Sequence, residues 1–291
     1  MAGAEAMPTR VLGRTGARVS ILAFGAGSRF LKLKRAPSIE MLQRALDLGV
    51  NYIDTGENYG GGESESRIGE ALGVRRRGVF LATKLSQRDF DGALRAMEGC
   101  LKRLRTDSVD LVHIHHLDGA ADLEKVSRKG GAFDAVAAIR DRKMARFIGV
   151  TSHGDPATLK AAIERHDFDC TQMALNAAQR GGPATGIRAT FETTALPVAV
   201  RKNMGVLAMK VFAQDELTGE APAERLIGYC LSLPVASAVI GMPSLRLLEQ
   251  NVALACAFQP LGRGEMDRLG GEISARKKAA VTAFFERHVD G

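Results

Sequence analysis

The sequence predicts a single (β/α)8 barrel, an α/β fold of the TIM type with a short N-terminal hairpin and an extra C-terminal helix. Three observations carry that expectation. Eight short apolar runs each precede a helical pattern, no Pro/Gly/Ser-rich linker or low-complexity tract divides the 291 residues, and the glycine loop of an open dinucleotide-binding sheet is incomplete. Residues 10–19 come first, with short apolar arms around the Gly-flanked turn Gly13-Arg14-Thr15-Gly16, and read as a small hairpin. Strand-like runs follow at 19–26, 51–55, 79–85, 109–116, 147–152, 170–176, 206–212 and 237–242. They are rich in Val, Ile, Leu and Phe and short enough to be strands buried on both faces. Helical patterns occupy 37–49, 63–73, 89–104, 131–143, 155–166, 190–204, 221–233 and 244–256. Several carry start signals: Pro37-Ser38 before Ile39, Asp155-Pro156 before Leu159, and Ala221-Pro222 before Leu226. After the first run, Gly25-Ala26-Gly27-Ser28-Arg29-Phe30 lacks the third glycine of Gly-x-Gly-x-x-Gly. One more amphipathic helix is expected at 272–288. The chain thus reads as one domain over 1–291, with 1–8 a flexible lead-in and 257–291 a C-terminal extension.

Composition narrows the function classes. With 45% hydrophobic residues the chain can bury one large core. It shows neither a signal-peptide pattern nor a run long enough to span a membrane, so a cytoplasmic protein without a membrane partner is expected. A net charge of +7 suits an anionic ligand. Nucleic acid is not expected as a partner, because no binding module is recognisable and aromatic residues make up only 5% of the chain. Cys100, Cys170, Cys230 and Cys256 are widely spaced, three of them on apolar helix faces, which argues for buried thiols and against a disulfide framework or a clustered zinc or iron-sulfur site. Arg75-Arg76-Arg77 precedes a strand and should face away from the active rim, whereas 29–35 follows a strand and should lie beside it.

Active sites in such barrels sit at the C-terminal ends of the strands. Asp54 closes the second run, Tyr59 lies five residues on, and Lys84 and His115 stand near the ends of the third and fourth. Neighbouring strands lie ~4.8 Å apart, so an acid, a phenol, an ammonium and an imidazole converge on one rim. These are the parts needed to pass a proton to a carbonyl oxygen. Alternation places Tyr52 and His113 on the same inward face as Asp54 and His115, one layer lower. Tyr52 and Tyr229 read as packing residues, which leaves Tyr59 without a competitor among the three tyrosines. His113-x-His115 with Asp54 also admits a metal-dependent barrel hydrolase, although Lys84 counts against it.

The segment 51–60, with Asp54 and Tyr59, resembles the aspartate-to-tyrosine signature of the aldo-keto reductases. Thr83-Lys84 is similar to that family's lysine motif, and 110–115 to its histidine segment. The likeness continues through Leu12-Gly13-Arg14-Thr15-Gly16, 148–153, Thr171-Gln172-Met173 and 239–251, covering nearly all of the chain to about residue 256. It implies an NAD(P)H-dependent oxidoreductase that reduces an aldehyde or ketone to an alcohol, a small carbonyl compound being the substrate. Tyr59 would donate the proton. Its phenol has an ordinary pKa of about 10, and Lys84 would lower it at about 1.4 kcal/mol per unit. Asp54 would keep Lys84 charged and aimed, and His115 would orient the carbonyl oxygen. A nucleotide-sensing regulatory subunit with little turnover is the alternative; the complete catalytic set argues for turnover.

For the cofactor the resemblance implies contacts from Gly25, Gly27, Asp54, Gly241 and the following residues. Thr151, Ser152 and Gln172 would bond the nicotinamide carboxamide. Met209 would pack on the ring where relatives place an aromatic, and Lys210 would reach the pyrophosphate. Ser244 begins a helix whose N-terminus favours phosphate. Arg246 would pair with a 2′-phosphate and so favour NADP, with NAD the second choice, and Asn251 would meet the adenine. No resident metal is expected. Substrate choice would lie in the loops 29–35, 117–129 and 179–188; the oligomeric state is left open.

Overall fold

The computed structural model describes residues 6–180 and 189–288. A hairpin opens it, β1 (Thr9–Val11) pairing antiparallel with β2 (Arg18–Ser20). Eight further strands follow: β3 (Leu22–Gly25), β4 (Tyr52–Asp54), β5 (Phe80–Leu85), β6 (Val109–Ile114), β7 (Ala145–Ser152), β8 (Cys170–Ala174), β9 (Gly205–Met209) and β10 (Ser237–Gly241). All pair in parallel, each with its successor, and β10 pairs back to β3, so the barrel is closed. The helices are α1 (Ser28–Leu31), α2 (Arg35–Asp47), α3 (Glu63–Leu72), α4 (Phe90–Leu104), α5 (Gly119–Ser127), α6 (Ala132–Asp141), α7 (Pro156–Arg165), α8 (Leu196–Arg201), α9 (Ala223–Ser232), α10 (Leu245–Cys256), α11 (Arg263–Glu272) and α12 (Ala275–Arg287). Among the described residues no helix is long and apolar enough to cross a membrane.

The strands are buried on both faces, and their two faces feed two cores. In β6, Val112 and Ile114 point outward and join Met97 and Ile139 of the surrounding helices, while Leu111 points inward to Tyr52, Phe80 and Leu207. The crossover helices start where the sequence places caps. Asp89 accepts from Gly92 N to open α4, and Asp155 accepts from Ala157 N and Thr158 N ahead of Pro156 to open α7. In α4 the buried Ala93, Leu94, Met97, Cys100 and Leu104 recur at helical spacing and form the stripe that lies on the sheet.

The hairpin seals the barrel floor. Leu12 and Val19 are fully buried within the interior cluster, and Arg10 Nη1 donates to Val235 O at 2.8 Å. At the turn, Gly13 has φ 48°, and a Cβ there would stand 2.3 Å from the Met204 carbonyl carbon, so only glycine lets the hairpin dock. Higher in the barrel the register aligns Lys84 with His113 and His113 with Gly149. A Cβ on Gly149 would lie 2.4 Å from His113 Nδ1: the missing side chain makes room for the imidazole. His113 is fully buried, as the alternation predicts, and neither ring nitrogen has a hydrogen-bond partner among the described residues. Burial first, then the charge of Lys84, holds its pKa well below the ordinary imidazole range.

Several expectations are corrected in detail. The run 19–26 is two strands that part at Ile21, because Ser20 Oγ turns back to Leu22 O and Ser20 N is taken by Asn51 Oδ1. The pattern 190–204 yields only the short α8. Ahead of it, Thr190 and Thr193 exchange side-chain hydrogen bonds with each other's backbone, and Pro197 lies in the helix's first turn. The loop 117–129 contains α5, and the extension contains α11 before α12; the four glycines of 262–271 obscure α11's helical pattern. At the start of the chain, Pro8 O accepts from Ile21 N and Met7 packs on the core, so the lead-in is fixed at its end.

His113 is neutral in the folded barrel, whereas an unfolded imidazole titrates near 6.5. Below that pH the unfolded chain binds a proton that the folded chain refuses, so stability through this group falls as the pH falls. Between pH 7.5 and 5 the wild type should lose more stability in denaturant titrations than His113→Leu. Equal losses would show that His113 does not titrate on unfolding.

Candidate active site

Three strand ends and one turn build the site. Asp54 ends β4, Lys84 lies in the last turn of pleat of β5, and His115 follows β6; the first two are 3% and 1% exposed. Lys84 Nζ donates to Asp54 Oδ2 at 2.5 Å, to Thr55 O at 2.7 Å and to Tyr59 Oη at 3.2 Å. An ammonium has three hydrogens, and these three acceptors match them. Tyr59 arrives on a tight 3-10 turn in which Gly60, Gly61 and Gly62 all have positive φ. Its ring lies against Gly27, where a Cβ would stand 3.5 Å from Tyr59 Cε2. The ring of His115 meets it edge-on, with centroids 5.6 Å apart. His115 N donates to Leu85 O, its Nδ1 lies 3.5 Å from Ser86 Oγ, and Arg88, paired with Asp122, donates to the carbonyls of His115 and His116. The catalytic candidates Asp54, Tyr59, Lys84 and His115 are therefore neighbours.

Beside them opens a cavity of about 300 Å³. Of the cofactor candidates, Gly25, Gly27, Asp54, Gln172, Met209, Lys210 and Gly241 line it, as does Tyr59. Gln172 Nε2 leans on Asp54 Oδ2 at 3.4 Å, while its buried Oε1 has no hydrogen-bond partner among the described residues. Thr151, Ser152, Ser244, Arg246 and Asn251 lie off this lining. The hydroxyl of Thr151 accepts from His116 N and that of Ser152 donates to Leu117 O, so both secure the loop after β6. Ser244 caps α10 by accepting from Leu247 N, with Arg246 exposed in the first turn and Asn251 buried beyond it.

Arg29, from the loop expected beside the rim, also lines the cavity, whereas sequence patterns left Gln214 and His288 unassigned. Arg29 pairs with Asp215 and donates to Gln214 O, and Gln214 donates to Ser28 Oγ, which ties the turn after β9 to α1 across the cleft. Positive φ at Lys210, Ala213 and Gln214 shapes that turn, and none of the three is glycine, so no glycine signal announced it. His288 reaches the cavity from beyond α12, more than seventy residues after β9, with no local motif to mark it. Of the three proposed substrate loops, residues 181–188 lie outside the described residues. Among the described residues no three His, Cys, Asp or Glu side chains are placed to hold a metal ion.

Comparison with known proteins decides the family. The model of the "Aldo/keto reductase family" matches residues 22–228, well over half of the chain. The chain belongs to the aldo/keto reductase family. It is 26% identical to L-galactose dehydrogenase of Arabidopsis thaliana, over 87% of this chain and 89% of that protein. The fold is similar to the holo form of an aldo-keto reductase from Bacillus halodurans, with a TM-score of 0.76 and 23% identity over 92% of this chain and 97% of that one. It is also similar to an aldo/keto reductase from Klebsiella pneumoniae in complex with NADP and acetate, with a TM-score of 0.72 and 22% identity over 90% and 95% of the two chains. As an aldo/keto reductase, the chain is an NAD(P)H-dependent oxidoreductase.

The buried ion pair of this aldo/keto reductase sets a stability test. Lys84→Met strands the Asp54 charge in the interior and should cost about 3–5 kcal/mol in chemical denaturation. Adding Asp54→Leu should recover most of that loss. A single mutant as stable as wild type would show that the pair is not buried as a charge pair.

Proposed function

We propose that this reductase converts an aldehyde or ketone to an alcohol with Tyr59 as the proton donor. The observation that carries the reading is the three-way hydrogen bond of Lys84, which aims a buried ammonium at the one tyrosine hydroxyl beside the cavity. Hydride delivered to a carbonyl carbon leaves negative charge on oxygen, and that oxygen must be polarised and protonated. Tyr59 Oη gives up the proton, and the Lys84 ammonium stabilises the phenolate left behind. Asp54 accepts a hydrogen bond from Lys84 Nζ and keeps that ammonium aimed at Tyr59. His115, edge-on to Tyr59, bounds the space in which the carbonyl oxygen must sit and orients it through a ring N–H.

The residues present fit a nicotinamide dinucleotide, which when bound supplies the hydride. Gln172 lines the cavity, and its buried Oε1, without a hydrogen-bond partner among the described residues, is an acceptor suited to a carboxamide N–H. Gly25, Gly27 and Gly241 line the cavity, and a Cβ on Gly27 would stand 3.5 Å from the Tyr59 ring, so its absence leaves the wall beside the proton donor clear. Met209 offers a polarisable face, and Lys210 a charge suited to phosphate. Thr151 and Ser152 brace the rim next to Gln172, with which Thr151 is in register. Ser244, Arg246 and Asn251 on α10 are assigned to the adenosine end, with Arg246 reading a 2′-phosphate and so favouring NADP over NAD. The NADP in the Klebsiella pneumoniae complex supports that choice.

Following NADPH and NADH consumption across aldehydes and ketones tests turnover and cofactor choice together; tight nucleotide binding with no turnover on any carbonyl would instead indicate a nucleotide sensor. Tyr59→Phe should lower kcat about a thousandfold while NADPH binding persists, because only one hydroxyl is removed. Reduction at the wild-type rate would remove Tyr59 from the mechanism. Arg246→Ala should raise the Kd for NADPH about tenfold and leave that for NADH nearly unchanged. Equal shifts would show that Arg246 does not read the 2′-phosphate.

A further inference from the structure

We propose that Arg88, held by Asp122, is a positioning residue for His115 and fixes the imidazole that orients the substrate's carbonyl oxygen. The proposal rests on the reductase reading above and adds a residue to it. His115 stands one position beyond β6, where the strand ladder ends, so its peptide groups need other partners. On the near side, His115 N donates to Leu85 O at 2.9 Å. On the far side, two successive peptide planes are each gripped from opposite ends. The carbonyl of His115 and the N–H of His116 share one plane; the first accepts from Arg88 Nη2 at 2.8 Å, and the second donates to Thr151 Oγ1 at 2.8 Å. In the next plane, His116 O accepts from Arg88 Nη2 at 3.0 Å and Leu117 N donates to Thr151 O at 2.8 Å. Between the two planes His116 has φ 48°, a left-handed conformation uncommon in residues with a side chain. The grips thus hold a bend that the chain does not favour by itself.

A planar fork suits this task. Arg88 Nε and Nη2 form a bidentate pair with Asp122 Oδ1 and Oδ2 at 2.8 and 2.9 Å, which sets the plane in which Nη2 meets the two carbonyls. Nη1 donates to Ser86 O at 3.1 Å, and Ser86 Oγ lies 3.5 Å from His115 Nδ1. Backbone and ring edge of His115 are therefore both referenced to one guanidinium. Asp122 lies in the first turn of α5, inside the loop 117–129, and its Oδ2 also accepts from Asp118 N at 3.2 Å. The loop and the imidazole are in this way held as one body. Neither Arg88 nor Asp122 lines the cavity, so their part is aim and not contact with substrate. A lysine at 88 would offer Asp122 a point charge in place of the fork.

The test is a double-mutant cycle on the full chain, read with NADPH and the best substrate from the aldehyde and ketone panel. Arg88→Met should lower kcat about tenfold and leave the Kd for NADPH within about twofold, because the ring is misaimed while the dinucleotide seat is untouched. In a His115→Ala background the same change should lower kcat less than about twofold, since no ring is left to aim. Arg88→Lys should recover little of the loss. Asp122→Asn keeps the volume and removes the charge of the pair, so it should give a smaller loss of the same pattern; it carries the cycle if Arg88→Met does not fold. A tenfold loss that persists without the His115 side chain, or wild-type rates in both Arg88→Met and Asp122→Asn, would overturn the proposal. Ring signals of 15N-histidine-labelled protein add a readout that needs no turnover. Those lost in His115→Ala and in His113→Leu identify the two rings. In Arg88→Met the His115 signals should shift or broaden while those of His113, one layer lower, stay in place. If no carbonyl is reduced but the His115 signals move in this way, the reduction reading falls and the positioning stands. Unmoved His115 signals refute the positioning, whatever the rates.

Discussion

A buried ammonium tolerates few arrangements, and most of the active rim follows from the one at Lys84. With 1% of its surface exposed, it has no water to fall back on, so each of its three hydrogens needs a protein acceptor at the right angle. Asp54 must end β4 one strand away, the Thr55 carbonyl must turn inward, and the hydroxyl of Tyr59 must come back to the third position. That return has to be made within a few residues, which is why three consecutive glycines with positive φ follow Tyr59. A further chain of bonds holds the turn from behind. Thr55 Oγ1 and Ser64 Oγ are 2.8 Å apart, and Ser64 donates to Ala26 O, tying the end of β4 to α3 and to the segment after β3.

The opposite face of the same strand is also ionic. Thr83 points away from the barrel axis, and its Oγ1 donates to Glu65 at 2.6 Å; Glu65, fully buried on α3, is paired with Arg103 of α4. The central strand of the site thus carries a buried carboxylate on each side, each held by its own cation. Such pairs give little net stability, but losing either partner is costly, so they favour one packing of α3 and α4 over slipped alternatives. Hydrophobic cores inside and outside the barrel supply the bulk of the folding free energy, and the charged pairs select the arrangement.

What was legible in the sequence is what local periodicity and fixed spacing encode. The eight strand-helix units, the hairpin, the inward placement of Tyr52 and His113, and the convergence of Asp54, Tyr59, Lys84 and His115 all follow from patterns that a few residues can report. Long-range features left no such mark. The tie between Arg29 and Asp215 and the approach of His288 to Lys210 join residues 186 and 78 positions apart, and neither end has a pattern that points to the other. Side-chain competition was likewise hidden. Thr151 and Ser152 stand where the resemblance placed carboxamide contacts, yet their hydroxyls bond the loop after β6, a partner visible only when β6 and β7 lie side by side. Helix α11 escaped because glycines weaken helical propensity, and tertiary packing of Met266 and Leu269 compensates for them.

The floor hairpin bears on how the protein is made. It is made before the strands it docks on: Leu12 needs β9 and β10 around it, Gly13 docks on Met204, and Arg10 reaches the carbonyl of Val235. Strand β3 waits as well, since its outer partner is β10. For most of translation the nascent chain therefore carries an unclosed sheet and an undocked plug, with apolar edges open to other chains. Closure joins the first and last strands of the barrel, so it can be completed only after β10 has been made.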